Sequence, residues 1–355
     1  MSRTNTKLLK AALAALHYAR ADRAFGRLTQ GAGVIFMLHH VAPSGPERFH
    51  PNRILSITPE FLDLVIRHIL AAGFEVISLD DIPDRLACGA CDTPFAAFTF
   101  DDGYRDNVQY ALPVFRTHGL PFTDYVPSGF PDGEANLWWL TLEEVVRTAS
   151  SITARLGESE MTFSCVTLAE KERAYHKLYW AFRNLPERQA RAVIAALAQT
   201  HAVDGAAIAR EIVMTWEEVR ALASDPLVTI GAHTQHHLAL AQLSEDEARA
   251  EIALSIARLE RELGRPCRHF SYPYGDAASA AEREFRLARE AGVLTAVTTR
   301  KGLLHARHVN QLTALPRLSL NGDYQDERFV KVLLSGVPFA LRDAVKSLMG
   351  MREAA

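Results

Sequence analysis

From residue 33 onward, the sequence alternates short β-favouring runs with longer helical ones. GVIFMLHHV at 33–41 predicts a buried strand, and TPEFLDLVIRHILAAG at 58–73 predicts a helix with Thr58 as N-cap and Gly73 as terminator. Further predicted strands lie at 74–79, 96–100, 121–126, 228–234, 268–275, 294–299 and 315–320. Seven or eight strands that alternate with helices are typical of parallel β/α units.

Polar side chains collect at the carboxyl ends of four predicted strands. Barrel enzymes gather their catalytic groups at this end of the strands. Four converging strand ends favour a closed barrel mouth over the single crevice of an open doubly wound sheet, which is the alternative. We therefore predict an α/β fold, a distorted (β/α) barrel of seven or eight strands. The residues concerned are His39, Asp101 with Asp102, His233 with His237, and Pro273 with Tyr274.

Between about residues 141 and 214 the β signal disappears, and charged sequence rich in Ala and Leu takes over. No domain linker flanks this stretch, so we predict a helical insertion within the barrel domain. The predicted organisation is an N-terminal amphipathic segment at 1–30, a barrel at 31–322 that includes the insertion, and a C-terminal helical segment at 323–355.

Charge and cysteine content limit the classes of partner. The 39 Lys and Arg nearly balance the 42 Asp and Glu, which gives a net charge of -3 and predicts no nucleic-acid partner. The only CxxC pair, Cys88 with Cys91, has neither a second pair nor a strand–CxxC–helix context. We interpret it as an incidental pair in a loop, with a redox or metal role as the alternative.

The N-terminal segment contains only a short uncharged apolar stretch, AALAAL, before charged residues follow. This is too short for a secretion signal or a membrane span, so the predicted location is cytoplasmic. The segment is predicted to form an amphipathic helix. It either docks on the domain or makes peripheral contact with an anionic membrane.

GAHTQHHLAL places His233 and His237 four residues apart, directly after an apolar strand. Two imidazoles at this spacing can reach one metal ion. One carboxylate of the pair Asp101 and Asp102 would complete a hydrolytic metal site, in which the cation lowers the pKa of bound water toward ~7. The other carboxylate would lie close enough to act as general base.

The ordered motifs TFDDG at 99–103, HTQHH at 233–237 and PYG at 273–275 resemble those of the polysaccharide deacetylase family, also called the NodB-homology family. The resemblance covers nearly all of residues 33–320. It implies that Asp101 is the general base and that Asp102, His233 and His237 are the metal ligands. It also implies that the backbone N–H of Tyr274 contributes to an oxyanion hole, while its side chain and Pro273 line the sugar groove.

Two departures from the usual family pattern concern residues around the base. Most members have an arginine that tethers the base where this chain has Ser271, and Arg317 is our candidate to replace it, with a surface role as the competing interpretation. The usual leucine-x-histidine motif of the general acid is missing after the last strand. MLHHV resembles the permuted branch of the family, in which the matching acid is His39. The other candidate acids are His40, His305 and His308.

The resemblance implies a metal-dependent hydrolase that removes N-acetyl groups from a sugar in a glycan and releases acetate. Zn²⁺ suits the ligand set, although Co²⁺, Mn²⁺ or Ni²⁺ would also fit. The alternatives are a non-sugar amide or formylated amino sugar as substrate, an O-acetyl esterase, and a non-catalytic carbohydrate-binding homologue. Trp138 and Trp139 are either core aromatics or a platform on which a sugar stacks. The sequence leaves the oligomeric state open.

Overall fold

The computed structural model describes residues 3–45, 49–88, 93–156 and 159–348. The strands in these residues are β1 Gly33–Leu38, β2 His40–Val41, β3 Ser56–Ile57, β4 Glu75–Val76, β5 Phe95–Asp101, β6 Phe122–Val126, β7 Ser151–Leu156, β8 Ser159–Ser164, β9 Val228–Ala232, β10 His269–Ser271, β11 Thr295–Lys301 and β12 Leu315–Ser319.

The α-helices are α1 Arg3–Tyr18, α2 Ala21–Thr29, α3 Pro59–Ala71, α4 Ile82–Ala87, α5 Leu112–His118, α6 Trp138–Thr148, α7 Leu168–Asn184, α8 Glu187–Thr200, α9 Gly205–Ile212, α10 Trp216–Ala223, α11 Glu245–Leu263, α12 Glu282–Glu290, α13 Glu327–Leu334 and α14 Val337–Leu348. The predicted N-cap of α3 is present, because the Thr58 side chain accepts a hydrogen bond from the Phe61 backbone N–H.

Seven parallel strands close into a barrel in the order β1, β12, β11, β10, β9, β6 and β5, and β5 pairs with β1 to complete the ring. The short strand β4 adds to β5 outside this ring. The predicted distorted (β/α) barrel is therefore confirmed. Because every ring strand runs in the same direction, their carboxyl ends meet at one mouth.

Alternate residues of each ring strand face different layers, as the two-residue period of a strand requires. In β5, Phe95 and Ala97 pack inside the barrel with Ile35 of β1 and Tyr125 of β6. Their neighbours Ala96, Phe98 and Phe100 instead pack outward against the surrounding helices. This alternation places Thr99 and Asp101 on the inner face of β5.

The stretch predicted as a helical insertion contains α6 to α9 but is not wholly helical. β7 and β8 form an antiparallel hairpin from residues 151–156 and 159–164, in which Ile152 pairs with Phe163. The hairpin was missed because most of its residues are exposed and polar, so its apolar signal is weak. The insertion has its own core, which includes Trp139, Tyr175 and Leu178. The predicted segment boundaries stay a prediction.

The N-terminal helix α1 packs against α13, and Leu13 contacts Phe329 and Val332. Helix α1 therefore docks on the domain, which was one of the two predicted alternatives. Membrane contact and the cytoplasmic location stay predictions. No single helix in the described residues is long and apolar enough to cross a membrane. Two neighbouring helices, Glu187–Thr200 and Gly205–Ile212, reach that length and hydropathy only when they are taken together. The chain bends by 103° between them. Cys88 is exposed, and its predicted loop partner Cys91 lies outside the described residues.

Candidate active site

Asp101 ends β5 inside the barrel mouth, where Arg317 of β12 meets it. Arg317 donates two parallel hydrogen bonds, from Nη1 to Asp101 Oδ1 at 2.8 Å and from Nη2 to Oδ2 at 2.6 Å. Both residues are almost completely buried, with exposures of 1% and 2%. Arg317 thus contacts the aspartate that the sequence expected it to tether, and the surface role for Arg317 is excluded.

The rest of the Arg317 guanidinium is also paired. It donates to Thr99 Oγ1 at 3.0 Å, Ser271 Oγ at 3.1 Å and the Thr298 carbonyl oxygen at 2.9 Å. These partners lie on three other strands, so one side chain links β5, β10, β11 and β12. Burial acts to raise the pKa of Asp101, but the Arg317 charge outweighs burial and lowers that pKa. Asp101 is therefore ionised and fixed in orientation.

Asp102 faces a different set of partners. Its Oδ1 lies 3.4 Å from His233 Nε2 and 3.2 Å from His237 Nε2, and all three residues are buried. Burial would raise the pKa of Asp102, but the two histidines hold it well below the ordinary value. The His233 Nδ1 lies 2.7 Å from the Ser271 carbonyl oxygen, which fixes the proton on Nδ1 and leaves Nε2 free to bind a cation.

These three residues fit a divalent cation. Their ligand atoms all lie within 4.8 Å of one another. In a tetrahedral zinc site with bonds near ~2.1 Å, ligand atoms lie about 3.4 Å apart, close to the observed Oδ1 to Nε2 separations. Asp102 Oδ1 is buried and has no hydrogen-bond partner among the described residues, as expected for an oxygen reserved for a metal. The residues thus form a possible Asp-His-His metal site.

The backbone at the site is strained. Among the described residues other than glycine, six have positive φ, and four of these lie in the sequence motifs. Such conformations cost free energy and persist where surrounding contacts enforce them. The angles are 78° at Asp102, 61° at Thr234, 55° at His237 and 60° at Tyr274.

His39 follows β1 and lies at the same mouth. Its Nε2 is 4.0 Å from Asp101 Oδ2, and its side chain is 18% exposed. Burial lowers the pKa of His39, while the Asp102 and Asp101 charges act in the opposite direction. The position matches the predicted general acid, but the role itself stays a prediction.

The other candidate acids are less well placed. The His40 ring stacks on Tyr104 at 3.7 Å, and its Nδ1 lies 2.7 Å from Asp106 Oδ2. His305 and His308 follow Leu304, which pairs with Gly33 at the start of β1. They therefore lie at the end of the barrel opposite Asp101. This placement excludes His305 and His308 as acids for the same site.

Tyr274 and the two tryptophans form a packed aromatic wall. The Tyr274 ring contacts the His237 ring at a centroid distance of 5.0 Å, and Tyr274 Oη accepts a hydrogen bond from Trp138 Nε1 at 2.9 Å. Trp138 and Trp139 are only 4% and 5% exposed, so neither offers a free face to a sugar. The stacking-platform interpretation is corrected: both are core aromatics. Pro273 is also buried.

Sequence reasoning missed two buried residues that contact the motifs. Tyr104, directly after DDG, is completely buried, and burial and the Asp102 charge raise its pKa well above the ordinary value. Glu251 of α11 accepts hydrogen bonds from the backbone N–H groups of Gln235 at 3.1 Å and His236 at 2.9 Å. Glu251 was detectable, because it lies on the apolar face of its helix with Ala248, Ile252 and Ser255.

A family model described as polysaccharide deacetylase matches residues 171–295. The matched range includes His233, His237 and Tyr274 but not Asp101 or Asp102. No curated protein matches the sequence.

Several solved structures share the fold of this chain. The Streptococcus pyogenes deacetylase PplD has a TM-score of 0.56 at 16% identity, covering 84% of this chain and 97% of PplD. IcaB from Ammonifex degensii has a TM-score of 0.52 at 16% identity, with coverages of 87% and 98%. A de-N-acetylase from Aggregatibacter actinomycetemcomitans has a TM-score of 0.50 at 14% identity, with coverages of 84% and 99%.

The sequence match and the shared barrel confirm the relationship that the three motifs predicted. Residues 171–295 match polysaccharide deacetylases in sequence, and the chain shares its barrel with solved deacetylases. The two comparisons together support a deacetylase enzyme.

The buried ion pair predicts a large effect of one substitution. Arg317→Met should lower the free energy of unfolding by about 3–5 kcal/mol, because it leaves the Asp101 carboxylate buried without a cation. Urea unfolding of metal-free protein measures this effect. Adding Asp101→Asn to Arg317→Met should restore part of the loss, since no buried charge is then left unpaired.

Arg342→Met is the matched control, because Arg342 pairs with Asp343 on the surface at 2.8 Å. It should lower the free energy of unfolding by less than about 1 kcal/mol. An equally small loss for Arg317→Met would show that the ion pair does not stabilise the barrel.

Proposed function

We propose that the protein is a metal-dependent N-deacetylase that hydrolyses the acetamide of an N-acetylated sugar in a glycan and releases acetate. The observation that carries this proposal is that the two adjacent carboxylates have different partners. Asp102 shares a buried cluster with His233 and His237, while Asp101 is held by Arg317. One carboxylate is thereby available to a cation and the other to a proton.

The residues Asp102, His233 and His237 would hold the cation. Zn²⁺ is our first choice because two imidazoles and a carboxylate are typical zinc ligands, and Co²⁺, Mn²⁺ or Ni²⁺ are the other candidates. When bound, such an ion lowers the pKa of water and polarises a carbonyl group.

The remaining steps belong to the chain itself. Asp101, ionised and oriented by Arg317, removes a proton from the attacking water. The new C–O bond forms at the acetamide carbonyl, and the Tyr274 backbone N–H stabilises the developing oxyanion. Protonated His39 donates its proton to the leaving amine as the C–N bond breaks. Because burial lowers the pKa of His39, its protonated form is a stronger acid than that of an ordinary histidine.

Substitution of each carboxylate separates the two roles. Asp101→Asn should bind Zn²⁺ or Co²⁺ as wild type does but lose about 10²- to 10⁴-fold in turnover, the usual contribution of a general base. Asp102→Asn should lose the metal. Acetate release from N-acetylglucosamine oligomers, with and without chelator, and the metal content of purified protein measure these effects.

The reverse pattern, with metal lost in Asp101→Asn and retained in Asp102→Asn, would show that the two roles are exchanged. If metal-loaded wild-type protein releases no acetate from any N-acetylated glycan, the proposed function is wrong. O-acetyl sugars in the same assay, and N-formylated amino sugars in an assay for formate release, test the alternative substrates directly.

His39→Ala tests the proposed acid. Its turnover should fall by about 10²- to 10⁴-fold, because the amine would leave without a proton donor. Its metal affinity should equal that of wild type, since His39 is not a proposed ligand. His305→Ala, at the opposite end of the barrel, is the control and should retain full activity. Near-normal turnover of His39→Ala would show that another group is the acid.

A further inference from the structure

The segment 234–239, here called the His loop, presents the proposed ligand His237. Thr234 and His237 both have positive φ, so the loop stores strain at the ligand itself. Strain of this kind requires external contacts that hold the backbone. The structure shows three sources of such contacts.

Two of them come from the barrel domain. Glu251 of α11 accepts hydrogen bonds from the backbone N–H groups of Gln235 and His236. After β6, the Ser128 and Gly129 N–H groups donate to the carbonyl oxygens of Thr234 at 3.0 Å and Gln235 at 2.9 Å. A Cβ at residue 129 would lie 2.8 Å from the Gln235 carbonyl oxygen, so this approach requires glycine.

The third source is α8 of the insertion. Arg191 Nη2 donates to the carbonyl oxygens of His236 at 3.0 Å and His237 at 3.2 Å. One helical turn earlier, Glu187 Oε2 accepts a hydrogen bond from the Ala239 backbone N–H at 2.7 Å. The two side chains also pair with each other at 2.8 Å. Together they hold the backbone before His237, at His237 itself and after it, at Ala239.

The same pair reaches the PYG segment. Tyr274 Oη donates to Glu187 Oε1 at 3.4 Å, and the Tyr274 ring packs against the His237 ring. Arg183 of α7 also contacts this segment, because its guanidinium lies 3.8 Å from the Tyr274 ring centroid. The insertion therefore contacts two segments at the mouth of the barrel, the His loop and the PYG segment.

We propose that Arg191 and Glu187 are positioning residues that hold His237 in the orientation needed to bind the metal. The proposal rests on the proposed metal site. It gives the insertion a role in the chemistry. Among the residues that the structure describes, helix α8 and no barrel strand hydrogen-bonds the His237 carbonyl oxygen and the Ala239 N–H. Both side chains act on His237 through its backbone, and neither is proposed to bind the substrate or the cation.

Burial distinguishes this pair from ordinary helix-surface pairs. The Arg191 and Glu187 side chains are 17% and 9% exposed. Their neighbour Arg188 is 81% exposed and pairs with Glu247 on the surface. The Arg191 guanidinium contacts Glu187 Oε1 through both Nε and Nη2, while Nη2 also reaches the two carbonyl oxygens. An ammonium group cannot reproduce this forked arrangement.

Arg191→Met tests the proposal. The Zn²⁺ and Co²⁺ dissociation constants should rise by about 10- to 100-fold, the usual effect of removing a group that orients a metal ligand. Competition with a chelator of known affinity measures them without any substrate. Arg191→Lys should give an intermediate value, and it remains informative if Arg191→Met folds poorly. Amide hydrogen exchange of residues 235–239 should rise in both variants, even without metal.

Arg188→Met, on the exposed face of the same helix, is the control and should change neither the metal dissociation constant nor the exchange. Wild-type affinity in both Arg191 variants would overturn the positioning role while leaving the proposed function intact. If wild-type protein itself binds neither Zn²⁺ nor Co²⁺, the metal site is wrong and the positioning role falls with it.

Discussion

The site depends on the ion pair between Arg317 and Asp101, inside the barrel mouth. Removing two charges from water is costly, and the cost is recovered only when geometry and additional hydrogen bonds are favourable. Here the guanidinium donates two hydrogen bonds to the carboxylate. It donates three more, to Thr99, Ser271 and Thr298. The pair therefore fixes Asp101, the proposed base, and links the strands that form the mouth.

This pair also explains how the chain tolerates serine at position 271. Ser271 lies on β10, and Arg317 reaches the same space from β12, two strands away in the ring. The small serine side chain leaves room for the guanidinium and accepts one of its hydrogen bonds. Its carbonyl oxygen meanwhile orients His233. Ser271 thus supports both the proposed base and a proposed metal ligand.

Much of this arrangement could be predicted from the sequence because the barrel topology is regular. A buried strand that ends in a polar residue places that residue at the mouth, which located Asp101, Asp102, His233 and His39. The missing arginine at 271 indicated that a cation had to come from elsewhere, and Arg317 was the one available on the last strand.

The features that were missed depend on contacts between distant segments. Trp138 and Trp139 are buried by helices of the insertion, and no local pattern distinguishes this burial from a stacking platform. Arg191 meets the His loop across about 45 residues of sequence, a pairing that helical periodicity does not reveal. The hairpin of β7 and β8 forms a sheet separate from the barrel, so the alternation of β and α elements does not predict it.

The central claim is that adjacent aspartates have separate partners, a cation for Asp102 and Arg317 for Asp101. Anomalous diffraction from crystals grown with Zn²⁺ tests it most directly. One peak is expected about 2.0–2.2 Å from the nearest atoms of Asp102, His233 and His237, with Asp101 still paired to Arg317. A peak coordinated by Asp101, or none at the mouth of a fully loaded crystal, would contradict the claim.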